Sequence, residues 1–95
     1  MIVFKDRQVR KSLEKKGFKQ EPNKHHNYYY LYDQNNKRTS INTHTSRNGQ
    51  EIDNFLIGQM SKQLKLSKEE FIDLINCPLS YEKYIAILKE KKEIR

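Results

Sequence analysis

The sequence predicts an α+β domain, a three-stranded antiparallel sheet with helices on one face. Three observations predict it. The centre of the chain, Asn23 to Tyr32 with its return run Arg38 to His44, is rich in tyrosine and β-branched residues, which favour strands. The flanks on both sides carry apolar residues at helical spacing. The connections within the centre are too short for a crossover, so neighbouring strands must run antiparallel.

The elements follow in order. Asp6 is placed to cap a first helix, its carboxylate accepting from the free amides of the first turn. Val9 and Leu13 share one face of that helix, and Arg7, Arg10, Lys11, Lys15 and Lys16 point elsewhere. Gly17 ends it in the left-handed conformation that other residues avoid. Phe18 to Glu21 reads as a short strand, and Pro22, lacking an amide hydrogen, suits its end. Asn23-Lys24 makes a turn into the tyrosine-rich strand. Asp33 to Lys37 is a hairpin turn, since asparagine tolerates a positive φ. Arg38 to Thr43 alternates polar and β-branched residues and gives the third strand.

A polar loop, Thr45 to Gln50, leads to a longer helix whose apolar stripe is Ile52, Phe55, Leu56, Met60 and Leu64. Ser67 and Glu70 form a capping box for the next helix, with Leu66 and Phe71 as its hydrophobic staple. Pro78 stops that helix. Ser80 caps the last one, with Tyr84, Ile85 and Leu88 turned inward, and Lys89 to Arg95 is expected to fray. The order is α-β-β-β-α followed by one or two C-terminal helices. Its first five elements have the order of a double-stranded-RNA-binding-like fold. Ninety-five residues make one domain, 1–95, read as a core over 6–66 and a helical extension over 67–95. A chain of this size buries only about 60–65% of its unfolded surface, so its core is small.

The charge is placed unevenly. Residues 1–50 hold 11 Lys/Arg and 4 Asp/Glu, and residues 51–95 hold 8 of each, so the whole excess of +7 lies in the first half. Such a field favours a polyanion, RNA or DNA being the commonest, and the plainer reading is a soluble basic surface. No apolar run approaches the 18 or so residues of a membrane span. The single cysteine, Cys77, excludes an internal disulfide and fits a reducing cytoplasm; it reads as a buried helix-end residue. The N-terminal run Met1-Ile2-Val3-Phe4-Lys5 is too short for a signal peptide.

The chemistry-bearing residues gather in the central stretch, which holds all 3 histidines and 4 of the 6 tyrosines. His25 and His26 are adjacent, so in a strand they face opposite ways and cannot share a metal without a bend. His44 adds one ligand, but no cysteine or carboxylate completes a set of three or four, so no metal and no cofactor is expected. No glycine-rich phosphate loop, Ser-His-Asp spacing or carboxylate cluster is present. Metal-free acid/base chemistry remains. Imidazole exchanges a proton near neutrality, and RNA supplies its own nucleophile, the 2′-hydroxyl. Cleavage then needs a base, cations for the phosphorane charge and a proton for the leaving oxygen. His25 beside Lys24 is the candidate general acid/base, with His26, Tyr28 and His44 as possible assistants. Lys24, Lys37, Arg38 and Arg47 are the candidate phosphate contacts. Against this, a histidine at a strand end is commonly an ordinary surface residue. Tyrosines in a strand are commonly sheet core, although core and base-stacking roles can coexist on opposite faces.

Several segments together resemble the HicA family of mRNA interferase toxins. They are Leu13-Glu14-Lys15-Lys16-Gly17-Phe18, Asn23-Lys24-His25-His26, the strand Arg38 to Thr43, and Ile57 through Leu66-Ser67-Lys68-Glu69-Glu70-Phe71. The family pattern is a helix ending in Gly-Phe, a Gly-Ser-His segment, a hairpin, and a helix leading to Leu-Ser/Thr-x-Glu-Glu-Phe. The resemblance covers about residues 6–75. It implies a double-stranded-RNA-binding-like fold, metal-independent endoribonuclease activity on mRNA, His25 in the catalytic position, and a HicB-type antitoxin as protein partner. Asn23-Lys24 stands where the family usually has Gly-Ser or Gly-Gly, the tyrosine run replaces its usual hairpin, and the helix from Ser80 exceeds its usual length. Two other readings stay open: a non-catalytic RNA-binding module of the same fold, and a structural or phage-encoded scaffold that binds another protein.

Overall fold

In the computed structural model the chain runs α1 (Asp6–Lys15), β1 (Phe18–Pro22), β2 (His26–Tyr32), β3 (Arg38–Ser46), α2 (Asn54–Gln63), α3 (Lys68–Asn76) and α4 (Tyr81–Glu90). The structure describes residues 3–22, 26–46, 49, 51–76 and 78–94. The fold is α+β, with one antiparallel sheet ordered β1-β2-β3 and four helices. No helix is long and apolar enough to cross a membrane, among the described residues.

Alternation along the strands decides which side of the sheet is covered. Phe18 on β1, Tyr29 and Leu31 on β2, and Ile41, Thr43 and Thr45 on β3 are buried, and these positions share one face. The helices lie on that face: α1 packs on β1, α2 on β3, and α3 on both α1 and α2. The last helix joins the same core. Tyr84 stacks on Phe18 with ring centroids 6.1 Å apart, and its hydroxyl donates to the Leu64 carbonyl at 2.8 Å. Burial pushes the Tyr84 phenol far above its ordinary pKa, so it stays protonated as a donor.

Local signals are realised where they depend on near neighbours. The capping box closes: Glu70 Oε1 accepts from the Ser67 amide at 2.9 Å, and Ser67 Oγ accepts from the Glu70 amide at 3.1 Å. Ser80 Oγ accepts from the Lys83 amide. The hairpin turn has Asn36 at φ 60°, and Asp33 Oδ1 accepts from the amides of Asn35 and Lys37. Gly17 sits at φ +89°, directly after α1.

Four expectations are corrected. Asp6 does not cap α1; it is the first helical residue, Lys5 occupies the cap, and Asp6 is drawn inward to receive Arg10 at 3.4 Å. Lys16 does not point away from the core as Arg7, Lys11 and Lys15 do. It is buried, and its ammonium donates to the carbonyls of Leu74 and Leu79, tying the end of α1 to the end of α3. The stripe of α2 begins later than its spacing suggested. Asp53 caps the helix, Ile52 instead pairs with Phe4 in an isolated bridge, and Phe55 is 70% exposed while Ile57 is buried. The C-terminal end is held rather than frayed: Lys91 Nζ donates to the Lys65 carbonyl at 2.9 Å, and Glu93 pairs with Lys65 at 3.8 Å. The burial expected for Cys77 falls outside the described residues.

Candidate nucleic-acid interface

The face of the sheet opposite the helices carries the alternate residues of each strand. On β2 these are Tyr28, Tyr30 and Tyr32, all half-buried. On β1 they are Lys19 and Glu21, paired in register with Tyr30 and Tyr28. On β3, His44 lies opposite Tyr28 and Asn42 opposite Tyr30, and a register shift then brings Arg38 opposite Tyr32. The single sequence block Tyr28-Tyr29-Tyr30-Leu31-Tyr32 therefore does two jobs. Tyr29 and Leu31 enter the core, and three phenol rings stand in a row on the other side.

The rings are engaged with charge. Lys19 Nζ lies 4.4 Å from the centroid of Tyr32, and the Arg38 guanidinium carbon lies 4.6 Å from that of Tyr30. Both are within the distance at which a cation is attracted by a ring quadrupole. Tyr28 and His44 meet at a centroid distance of 5.5 Å, tilted by 46°. Arg38 also faces Glu21: one guanidinium nitrogen, Nη1, donates to both carboxylate oxygens, at 2.8 and 2.9 Å. The Glu21 hydrogen bond raises the Arg38 pKa above its already high ordinary value, so the guanidinium charge is permanent.

A second basic feature lies on the helical side. An open groove of about 780 Å³ runs by the start of α1, lined by Lys5, Asp6, Arg7, Arg10 and Lys11 with Gly49 and Glu51. Arg10 Nε donates to the hydroxyl of the buried Tyr29 at 2.9 Å, which raises the Arg10 pKa, and Arg10 also holds Asp6 Oδ2. Asp6 Oδ1 is buried and has no hydrogen-bond partner among the described residues.

The residues proposed from sequence divide into three groups. Tyr28 and His44 are brought together, and Arg38 lies on the same face. Lys37 is exposed in the hairpin turn beside it. His26 opens β2, its backbone paired with Ser46. Lys24, His25 and Arg47 fall outside the described residues. Sequence reasoning singled out Tyr28 alone of the tyrosines on this face, and missed Lys19 and Glu21 as members of it. Period-two alternation counted outward from Tyr28 would have found the tyrosines, whereas the β1 residues arrive through strand register. Among the described residues no group of three or more His, Cys, Asp or Glu side chains is placed to hold a metal ion. No family model, no curated protein and no solved structure matches this chain.

Proposed function

We propose that this chain is an RNA-cleaving toxin of the HicA type, a metal-independent endoribonuclease in which His25 is the general acid/base. The observation that carries the reading is the open face of the sheet, with Tyr28 against His44 and the cations Lys19 and Arg38 over the neighbouring rings. This face belongs to the strand that follows His25 directly in the chain. Aromatic rings interleaved with fixed positive charge suit a polyanion whose bases can stack. The element order α-β-β-β-α, the glycine ending α1 and the closed Ser67/Glu70 box agree with what the resemblance leads one to expect. In this reading a base takes the proton of the 2′-hydroxyl, the oxygen attacks the adjacent phosphorus, and an acid protonates the departing 5′ oxygen. Lys24, Lys37, Arg38 and Arg47 offset the charge that gathers on the phosphorane. A HicB-type antitoxin is the protein partner that would cover the site.

The test is incubation of the purified protein with end-labelled RNA in EDTA. The expected result is fragments with 2′,3′-cyclic phosphate ends, lost in His25→Ala. Intact RNA that is nonetheless bound would favour the second reading, a binding module. The tyrosine row favours that reading specifically, because stacking needs no catalytic group and Asn23-Lys24 replaces the family's glycine.

A further inference from the structure

The geometry points to a latched binding face. An unpaired run of RNA lies along the open side of β2 with its bases against Tyr28, Tyr30 and Tyr32, and a phosphate takes Arg38 away from Glu21. The inference rests on the reading that the partner is RNA, and it adds the surface, the strandedness and the control. Alternate residues of a strand are about 6.8 Å apart, whereas bases stacked in a helix rise about 3.4 Å per nucleotide. Neighbouring tyrosines therefore cannot take neighbouring bases of an intact stack. They can take bases of a strand that is splayed open, one between two rings. A duplex offers no such bases, because its base faces are already covered.

Charge complementarity comes from Lys19 and Arg38, which already rest on Tyr32 and Tyr30. Glu21 is the discordant member of the face. A carboxylate repels a polyanion, yet here both its oxygens accept from one nitrogen of the cation best placed for phosphate. Only Nη1 of Arg38 is engaged in hydrogen bonds among the described residues, and the side chain is 52% exposed. A phosphate can approach the rest of the guanidinium fork from solvent and replace Glu21 at it. The latch thus holds Arg38 ready on its ring and lowers affinity for RNA at the same time.

The experiment measures anisotropy of a fluorescent ten-nucleotide 2′-O-methyl oligoribonucleotide, which has no 2′-hydroxyl to react, so binding is read apart from cleavage. Tyr30→Ala should weaken binding about 5- to 150-fold, the range of one lost base–ring stack. Tyr30→Phe should keep it within about twofold, since the ring remains. Glu21→Gln should tighten it about 1.5- to 5-fold, the scale of an exposed ion pair released. The same oligonucleotide annealed to its complement should bind more weakly than the single strand. Thermal melts of each variant confirm that the fold is kept. Equal binding of duplex and single strand, an unchanged Tyr30→Ala, or a Glu21→Gln no tighter than the parent would overturn the inference while leaving the His25 cleavage test to stand. Absence of binding to any RNA would remove both.

Discussion

Gly17→Ala tests whether the turn between α1 and β1 is as constrained as its geometry indicates. The residue sits at φ +89°, a region that costs a side-chain-bearing residue about 1–2 kcal/mol. An added Cβ would also overlap Tyr81 Cε1 and stand 2.6 Å from Cδ1. That ring has no easy retreat, because its hydroxyl donates to the Tyr32 carbonyl at 2.8 Å. Moving it gives up a hydrogen bond worth about 0.5–1.5 kcal/mol, and leaving it in place costs overpacking of about 1–3 kcal/mol. The ring takes the cheaper course, so the total is about 1.5–3.5 kcal/mol, a fall in Tm of roughly 6–28 °C for a domain of this size. Urea denaturation of Gly17→Ala, Tyr81→Ala and the double variant separates the two causes. With the ring removed, the alanine should cost only its backbone share, about 1–2 kcal/mol. A Gly17→Ala cost below about 1 kcal/mol, or the same cost with and without Tyr81, would refute the reasoning.

Two further outcomes are expected. Glu70 has its pKa lowered, first by the hydrogen bond from the Ser67 amide, so the unfolded chain binds the proton more readily. Its contribution is therefore present above the ordinary glutamate range near pH 4.5 and is lost as pH falls through the lower folded value. Denaturation midpoints across pH 3–6 should show Glu70→Gln flatter than the parent in the acid limb, and equal slopes would remove the capping box as the cause. For RNA binding, log affinity should fall linearly with log salt. Lys19→Ala and Arg38→Ala should each make that slope shallower by about 0.7, the share of one phosphate contact on a single strand; an unchanged slope would take that residue off the interface.

What the sequence made legible was whatever depends on near neighbours. Ser67 and Glu70 are three residues apart and satisfy each other whatever surrounds them. Gly17 and the Asp33–Lys37 turn are local in the same sense, and so is alternation along Tyr28 to Tyr32. What escaped depends on partners far along the chain. Lys16 reads as a solvated charge until the carbonyls of Leu74 and Leu79 arrive to receive it. Ile52 extends the helical spacing of α2 backwards, but Phe4, 48 residues earlier, claims it for a bridge, and Asp53 then starts the helix. Phe55, expected to face inward, is exposed, and Ile57 is buried in the same helix. The candidate site followed the same division. Tyr28, His44 and Arg38 stood out by residue type, while Lys19 and Glu21 joined them only through the register of β1 on β2.

The basic half of the chain presents its charge on two sides, and they are not equivalent. Arg7, Lys11 and Lys15 are exposed on α1, on the helical side. Lys19 and Arg38 stand on the open sheet, over aromatic rings. A field of +7 raises the encounter rate with any polyanion and does not choose where the polyanion rests. Rings do choose, because stacking acts over contact distance and needs bases that are free to leave their own stack. The helices supply the means for this. By filling one face of the sheet with Tyr29, Leu31, Phe18 and Ile41, and by holding Tyr81 to the Tyr32 carbonyl, they leave the other three tyrosines of β2 half-buried on the far face, against Lys19, Arg38 and His44. A strand that buried all four tyrosines would make a larger core and have nothing to offer a nucleotide. The division of β2 into a packed face and a charged aromatic one is thus the feature of the fold on which the proposed recognition of RNA depends.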